Sequence, residues 1–162
     1  MIKPPSLQTD YTFISAGDPA LQWPEVDENA PADEAAAQVK ERERAITTAR
    51  ETGQYPIREG MTPVTYRLRQ IKGTTFDWFQ GHIKREQLGE LESHALLMRL
   101  GLVEVDGLGK VSVGNPTKIA GHIVAPEDIV DVLYEKVGRA VVMEIAAHLF
   151  GRATTPLPSK SR

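Results

Sequence analysis

The sequence contains no cysteine and few aromatic residues. The absence of cysteine excludes disulfides, thiolate metal sites and thiol nucleophiles. Aromatic residues make up only 6% of the 162 positions, so the core must rely on leucine, isoleucine, valine and alanine. No stretch approaches the roughly 18 consecutive apolar residues of a membrane helix, and the first ten residues lack the apolar region of a secretion signal. We therefore expect no membrane association and no export.

The charged residues are unevenly distributed along the chain. Hydrophobic residues account for 41% and charged residues for 25%, as in a small globular domain. The net charge is −3, yet residues 1–34 hold seven acids and one base, and the remainder holds 18 bases and 15 acids. This asymmetry predicts an extended acidic arm over residues 1–32, a domain over residues 33–151 and a basic flexible tail over residues 152–162.

The predicted arm combines prolines with large apolar side chains. Five prolines and the lack of a helical period argue against a regular helix in residues 1–32. Tyr11, Phe13 and Trp23 nevertheless set this segment apart from disordered tails, which are poor in aromatic residues. Three alternatives stay open: the arm folds back on its own domain, it binds another subunit, or it is a loose tail.

Residues 62–100 contain the most regular patterns of the chain, and we expect other segments to pack on them. The sequence TPVTYRLRQI alternates with period two, which is typical of a half-buried strand. One predicted face carries Val64, Tyr66, Leu68 and Gln70, and the other carries Thr65, Arg67, Arg69 and Ile71. After Gly73 the apolar residues recur at helical intervals, which predicts a helix or a broken pair of helices.

The rest of the domain contributes two helices and a hairpin to the prediction. A helix is expected from Asp33 to about Thr52, because acids open it, Gly53 follows it, and a thin apolar stripe runs along it. Such a weakly apolar helix suits a solvated or partner-facing position. A last helix is expected to begin at Pro126 and to end near Gly151, with Gly138 either kinking it or being tolerated.

The strand signals between these helices are short. Residues 102–105 and 110–113 flank a glycine-rich loop and predict a β-hairpin. Residues 118–124 are a loop or a short extra strand, and residues 55–58 are a candidate edge partner of the central strand. Together these patterns predict an α+β fold, in which helices pack on a small antiparallel sheet and an extended N-terminal arm precedes them.

Motifs of catalysis and cofactor binding are missing from the sequence. The four histidines are far apart and form no metal-ligand spacing. The sequence DGLGK lacks the spacing of a phosphate-binding loop, and no serine stands in a nucleophile motif. Neighbouring glutamates in residues 86–92 suit a solvated helix face better than a catalytic pair. We therefore expect no catalytic residue, metal, cofactor or small-molecule substrate.

Arg67 and Arg69 form a basic strip on one predicted face of the central strand. Such a strip can hold the phosphates of a nucleic acid. It can equally receive the acidic arm of the same chain or of another copy, and we favour the arm. A nucleic-acid partner is accordingly not expected.

The sequence TPVTYRLRQI resembles a strand found in small morphogenesis and virion proteins of tailed bacteriophages, including tail assembly chaperones. The matching positions are Pro63, Tyr66, Leu68, Arg69 and Ile71. The resemblance extends over residues 57–151, through a glycine-containing β segment and a last helix with a Pro-Glu start. The long acidic arm departs from the chaperone pattern and suits a protein that is built into a particle.

The resemblance implies a non-enzymatic phage structural or assembly protein, located in the virion and assembled in the host cytoplasm. Its partners would be other virion proteins or copies of itself, bound through the arm. Candidate contact residues are Tyr11, Phe13, Trp23, Arg67 and Arg69, since tyrosine, tryptophan and arginine dominate protein interfaces. The alternatives are a transient tail assembly chaperone and a nucleic-acid-binding regulator that uses the basic strip.

Overall fold

The structure is a computed structural model, and it describes residues 10–154. The predicted tail beyond Thr154 and the first nine residues of the predicted arm lie outside this range. The elements in chain order are β1 (Asp10–Phe13), α1 (Ala32–Thr52), β2 (Thr65–Arg69), α2 (Gly73–Arg85), α3 (Glu90–Gly101), β3 (Leu102–Asp106), β4 (Thr117–Ile119), β5 (His122–Val124), α4 (Ile129–Lys136) and α5 (Arg139–Thr154). Helices packed on small antiparallel sheets confirm the predicted α+β class.

The central strand of the described three-stranded sheet is β2, as the alternating sequence predicted. β1 and β3 flank it on either side, and both pairs are antiparallel. Tyr66 and Leu68 are buried against the helices, whereas Arg67 faces outward. β2 ends at Arg69, so Ile71, which we placed on the arginine face of the strand, lies beyond the strand and is buried. The prediction for Ile71 was therefore wrong.

The described part of the arm folds against its own chain. β1 pairs with β2 in a register that places Tyr11 opposite Leu68 and Phe13 opposite Tyr66. Further along, Leu21 forms an isolated antiparallel bridge with Ile57. This bridge corrects the expectation that residues 55–58 pair with the central strand. Of the three alternatives for the arm, residues 10–32 therefore follow the one in which the arm folds back on its own domain.

α1 lies over the arm rather than over the main core. Its boundaries match the prediction, and Gly53 ends it with a left-handed backbone at φ 74°. Only the second half of the helix packs: Ala49 is buried with Ile14, Leu21 and Trp23 in a small apolar cluster. The first half is largely exposed, and the side chain of Val39 is 41% accessible. The helix therefore combines an arm-covering end with a solvated end, as its thin apolar stripe suggested.

The predicted broken helix pair is present as α2 and α3, but the predicted hairpin is wrong. β3 pairs with β2, and residues 110–113 form no strand. The chain turns after β3: Val111 N–H donates to the Leu108 carbonyl, and Gly107 has a φ of 86°, with no room for a side chain beside the Pro63 carbonyl. The hairpin lies later, where β4 and β5 are joined by Ala120 and Gly121, both with positive φ as in a type I′ turn.

The last helix is divided at Gly138, whose φ of 92° is not helical. α4 ends before this glycine and α5 continues after it to Thr154, three residues beyond the predicted end. α5 packs along α3 in the main core, where Leu133, Ile145 and Leu149 are almost completely buried. None of the helices within residues 10–154 has the length and hydrophobicity needed to span a membrane.

Candidate functional site

The five predicted contact residues separate into buried and exposed groups. Phe13 has no accessible surface and Trp23 is 8% accessible, so these side chains belong to the chain's own cores. Tyr11 is half-buried beneath the guanidinium of Arg152, which lies 4.0 Å from its ring centroid. Arg67 projects from the outer face of the sheet, and Arg69 is half-buried at the end of β2. The fold therefore does not present the aromatic side chains of Phe13 and Trp23 to a neighbour.

The outer face of the sheet is not a continuous basic strip. Arg67 pairs with Glu104 of β3 at 3.2 Å, and the two side chains are 55% and 58% exposed. Asp10 stands opposite Arg69 in the register of β1 with β2, and Asp106 ends the same face on β3. β1 of the arm lies beside β2, but Glu104 of β3 is the ion-pair partner of Arg67, and no ion pair among the described residues joins the strip to an acid of the arm.

The arm, α1 and α5 meet at the carboxylate of Glu144. Its Oε1 accepts a hydrogen bond from Ser15 Oγ at 2.5 Å, and its Oε2 accepts one from the Ala16 backbone N–H at 2.9 Å. Arg50 of α1 donates to the same Oε2 from Nη2 at 2.5 Å. One carboxylate therefore accepts hydrogen bonds from the arm and from α1. We call Ser15, Ala16, Arg50 and Glu144 the Glu144 junction.

His148 lies one helical turn beyond Glu144 and fills the space behind β1. Its ring is 4.7 Å from the ring of Phe13 and 5.6 Å from that of Tyr11, measured between centroids. Its Nε2 is buried and has no hydrogen-bond partner among the described residues. Burial, together with the nearby charges of Arg50 and Arg152, lowers the pKa of His148 to about 4.

This environment predicts a loss of stability at mildly acidic pH. The unfolded chain protonates His148 near the ordinary imidazole pKa of 6.5, whereas the folded chain does so only near a pKa of about 4. As the pH falls from 6.5 to 4, the unfolded state binds the additional proton, so the free energy of unfolding decreases. Because the ring keeps some contact with water, we expect a loss of about 1–2 kcal/mol. Urea unfolding at several pH values measures it.

The matched variant for this pH dependence is His148→Gln, which removes the titrating group. We expect its free energy of unfolding to vary less between pH 6.5 and 4 than that of the unmodified protein, whatever its absolute stability. Equal slopes in the two proteins would contradict an uncharged, buried imidazole. Glu144 and Arg50 also lie near this position, so the comparison uses the difference in slope rather than either slope alone.

The Glu144 junction was missed at the sequence level, although one signal was present. In VVMEIAAHLF, Glu144 is the single acid in an otherwise apolar helical stretch, and His148 follows four residues later on the same helix face. Charged residues within a buried helix face are rarely unpaired. Its partners could not be identified, because Ser15 and Arg50 come from segments far away in sequence.

The surroundings of these residues contain no evident metal site. Within residues 10–154, no cluster of three or more histidine and carboxylate side chains is placed to hold a metal ion. Comparisons with protein-family models, with curated proteins and with solved structures found no match for this chain.

Proposed function

We propose that this chain is a non-enzymatic structural or assembly protein of a tailed bacteriophage that binds neighbouring virion subunits through its N-terminal arm. Support comes from the sequence resemblance over residues 57–151 and from the position of the arm. Because Phe13 and Trp23 are buried, the more exposed residues 10–12 supply the backbone that is available to a partner. The single observation on which the proposal depends is the placement of β1 at the edge of the three-stranded sheet.

An edge strand can recruit a strand from another protein. In an antiparallel pair, alternate residues direct their backbone groups toward the partner strand, and the others point outward. Only β2 pairs with β1 among the described residues, so the outward groups of Asp10–Phe13 have no described strand beside them. Addition of a strand at such an edge gives affinity through main-chain hydrogen bonds.

Mass spectrometry of purified particles tests the proposal and separates it from the chaperone alternative. We expect peptides of this chain at a fixed ratio to the major particle proteins. Their presence only in assembly intermediates would instead support a transient chaperone. Their absence from both particles and intermediates would overturn the proposal.

Hydrogen–deuterium exchange tests the route through β1. We expect the outward amides of residues 10–12, which keep contact with water, to exchange quickly in the isolated chain and slowly in the assembled particle. The inward amides, which bond to β2, provide the internal control because they should be protected in both states. Unchanged exchange of the outward amides would show that assembly uses another surface.

The nucleic-acid alternative gains no support from the outer face of the sheet. Acids from β1 and β3 stand beside both arginines, and one arginine is already paired. Such a face has little net positive charge to attract phosphates. Salt-sensitive binding of DNA by the purified chain would nevertheless reopen that alternative.

A further inference from the structure

A groove of about 680 Å³ opens between α3 and α4, on surfaces that the proposed function does not use. Leu91, Leu96 and Val130 contribute to its apolar lining. Leu91 is 47% exposed, and covering its apolar surface would be favourable, because contact between apolar surface and water costs free energy. Tyr134 lines the same groove with its ring, while its hydroxyl is buried and has no hydrogen-bond partner within the described residues. The groove therefore offers apolar surface to an occupant.

The rim of the groove carries acids. Glu92, Glu127 and Asp131 line it and are exposed. Neither of the two ion pairs found within residues 10–154 involves any of them. Two arginines, Arg99 and Arg139, also line the groove, so its three acids exceed its arginines by one; Arg99 is directed to the Ala125 carbonyl, to which it donates at 2.9 Å. Charge complementarity thus favours an occupant that joins an apolar residue to nearby positive charges.

We propose that this groove binds residues 156–162 of a second copy of the chain. Their sequence, PLPSKSR, places Leu157 before two bases, Lys160 and Arg162. Prolines flank the leucine on both sides, and such a pattern reduces the conformational entropy lost on binding. Leu157 would occupy the apolar lining, and the two bases would approach the acidic rim.

The dimensions of α5 favour a second copy over the same chain. α5 is 16 residues long, so its two ends are about 24 Å apart. Arg139 at its start lines the groove, whereas Leu157 follows only three residues after Thr154 at its end. Three extended residues span about 11 Å, which is too short to return Leu157 to the Arg139 end. Leu157 therefore cannot reach the Arg139 end of the groove in its own chain.

A contact of this kind is head-to-tail. Each copy offers a groove to one neighbour and a tail to another, so the assembly closes into a ring or extends as a filament. The inference goes beyond the proposed function, because it concerns self-association of the purified chain and holds or fails whether or not the chain is a virion protein.

Two complementary charge reversals on the full-length chain test the inference. One variant carries Glu127→Lys with Asp131→Lys at the groove, and the other carries Lys160→Glu with Arg162→Glu in the tail. Sedimentation velocity over a range of concentrations measures their assembly. We expect the unmodified chain to associate and each variant alone to associate at least about tenfold more weakly, because its groove and tail then carry like charge.

Mixing the two variants provides the decisive measurement. The reversed groove of one then meets the reversed tail of the other, and the two unmodified elements also match. We expect the mixture to recover the association of the unmodified chain. Glu51→Lys, at an exposed position on α1 away from the groove, serves as the control and should leave association unchanged. Urea unfolding establishes that every variant is folded.

Three results would overturn the inference. The first is an unmodified chain that stays monomeric at millimolar concentration. The second is unaltered association of either charge-reversed variant, and the third is failure of the folded mixture to recover association. A peptide of sequence TPLPSKSR should in addition dissociate the assembly of the unmodified chain, and a peptide with glutamate at both basic positions should not.

Discussion

Replacing Glu144 with glutamine is expected to lower the free energy of unfolding by about 2–3 kcal/mol. The carboxylate accepts hydrogen bonds from Ser15, Ala16 and Arg50. The amide keeps one acceptor oxygen, presents an NH₂ group to the donors at the other position, and leaves the guanidinium of Arg50 without its counter-charge. The side chains of Arg50 and Glu144 are only 27% and 23% accessible, so water replaces the lost bonds incompletely. Urea unfolding measures the change.

Glu104→Gln is the matched control for this substitution, because it also removes one carboxylate from an arginine. The Arg67–Glu104 pair is more than half exposed, so we expect a change below about 0.5 kcal/mol. Limited proteolysis should show faster cleavage of residues 14–32 in the Glu144 variant than in the Glu104 variant. Equal stability of the two variants would mean that the Glu144 junction does not hold the arm.

Gly101→Val is expected to destabilise the protein by about 2–4 kcal/mol through the contact between α3 and α5. A Cβ at Gly101 would lie 2.5 and 2.6 Å from the two terminal carbons of Leu149 and 3.1 Å from its Cγ. Leu149 is 1% accessible, so its side chain has little space into which it can move. Thermal and urea unfolding measure the effect.

Two further variants establish that steric overlap with Leu149 is the cause. Gly73→Val places the same side chain where a Cβ meets no atom within 4 Å beyond the adjacent backbone, and we expect a change below about 1 kcal/mol. Leu149→Ala opens a cavity and costs about 2–5 kcal/mol alone. The double variant Gly101→Val with Leu149→Ala should lose less stability than the sum of the two single variants, by about 1 kcal/mol or more, because the added methyl groups occupy that cavity. Simple additivity would exclude a direct contact.

Local patterns predicted the elements whose signals lie within one stretch of sequence. The alternation of Tyr66 and Leu68 identified β2, and Gly53 marked the end of α1. The hairpin failed because a glycine-rich loop at residues 106–109 resembles a hairpin turn, although the strand before it pairs with β2. The close approach of Gly107 to Pro63 accompanies this pairing, and it joins residues 44 positions apart, which no local pattern can contain.

The positions of the arm and of the Glu144 junction depend on contacts that no local pattern contains. β1 has four residues, too few for a clear period, and it pairs with a strand more than 50 residues away. Trp23 indicated that the arm packs against something, but the sequence could not show whether this was its own α1 or a neighbour. In the structure, the buried side chains of residues 10–32 pack against other segments of the same chain.

The Glu144 junction also determines when the chain can complete its fold during synthesis. Ser15 and Glu144 are separated by 129 positions, so a ribosome that adds about 5–20 residues per second needs roughly 6 to 26 seconds to make the second after the first. Throughout that interval Phe13 lacks His148 and the helix that covers it. β1 therefore stays without its covering helix α5 in the nascent chain until α5 has been synthesised.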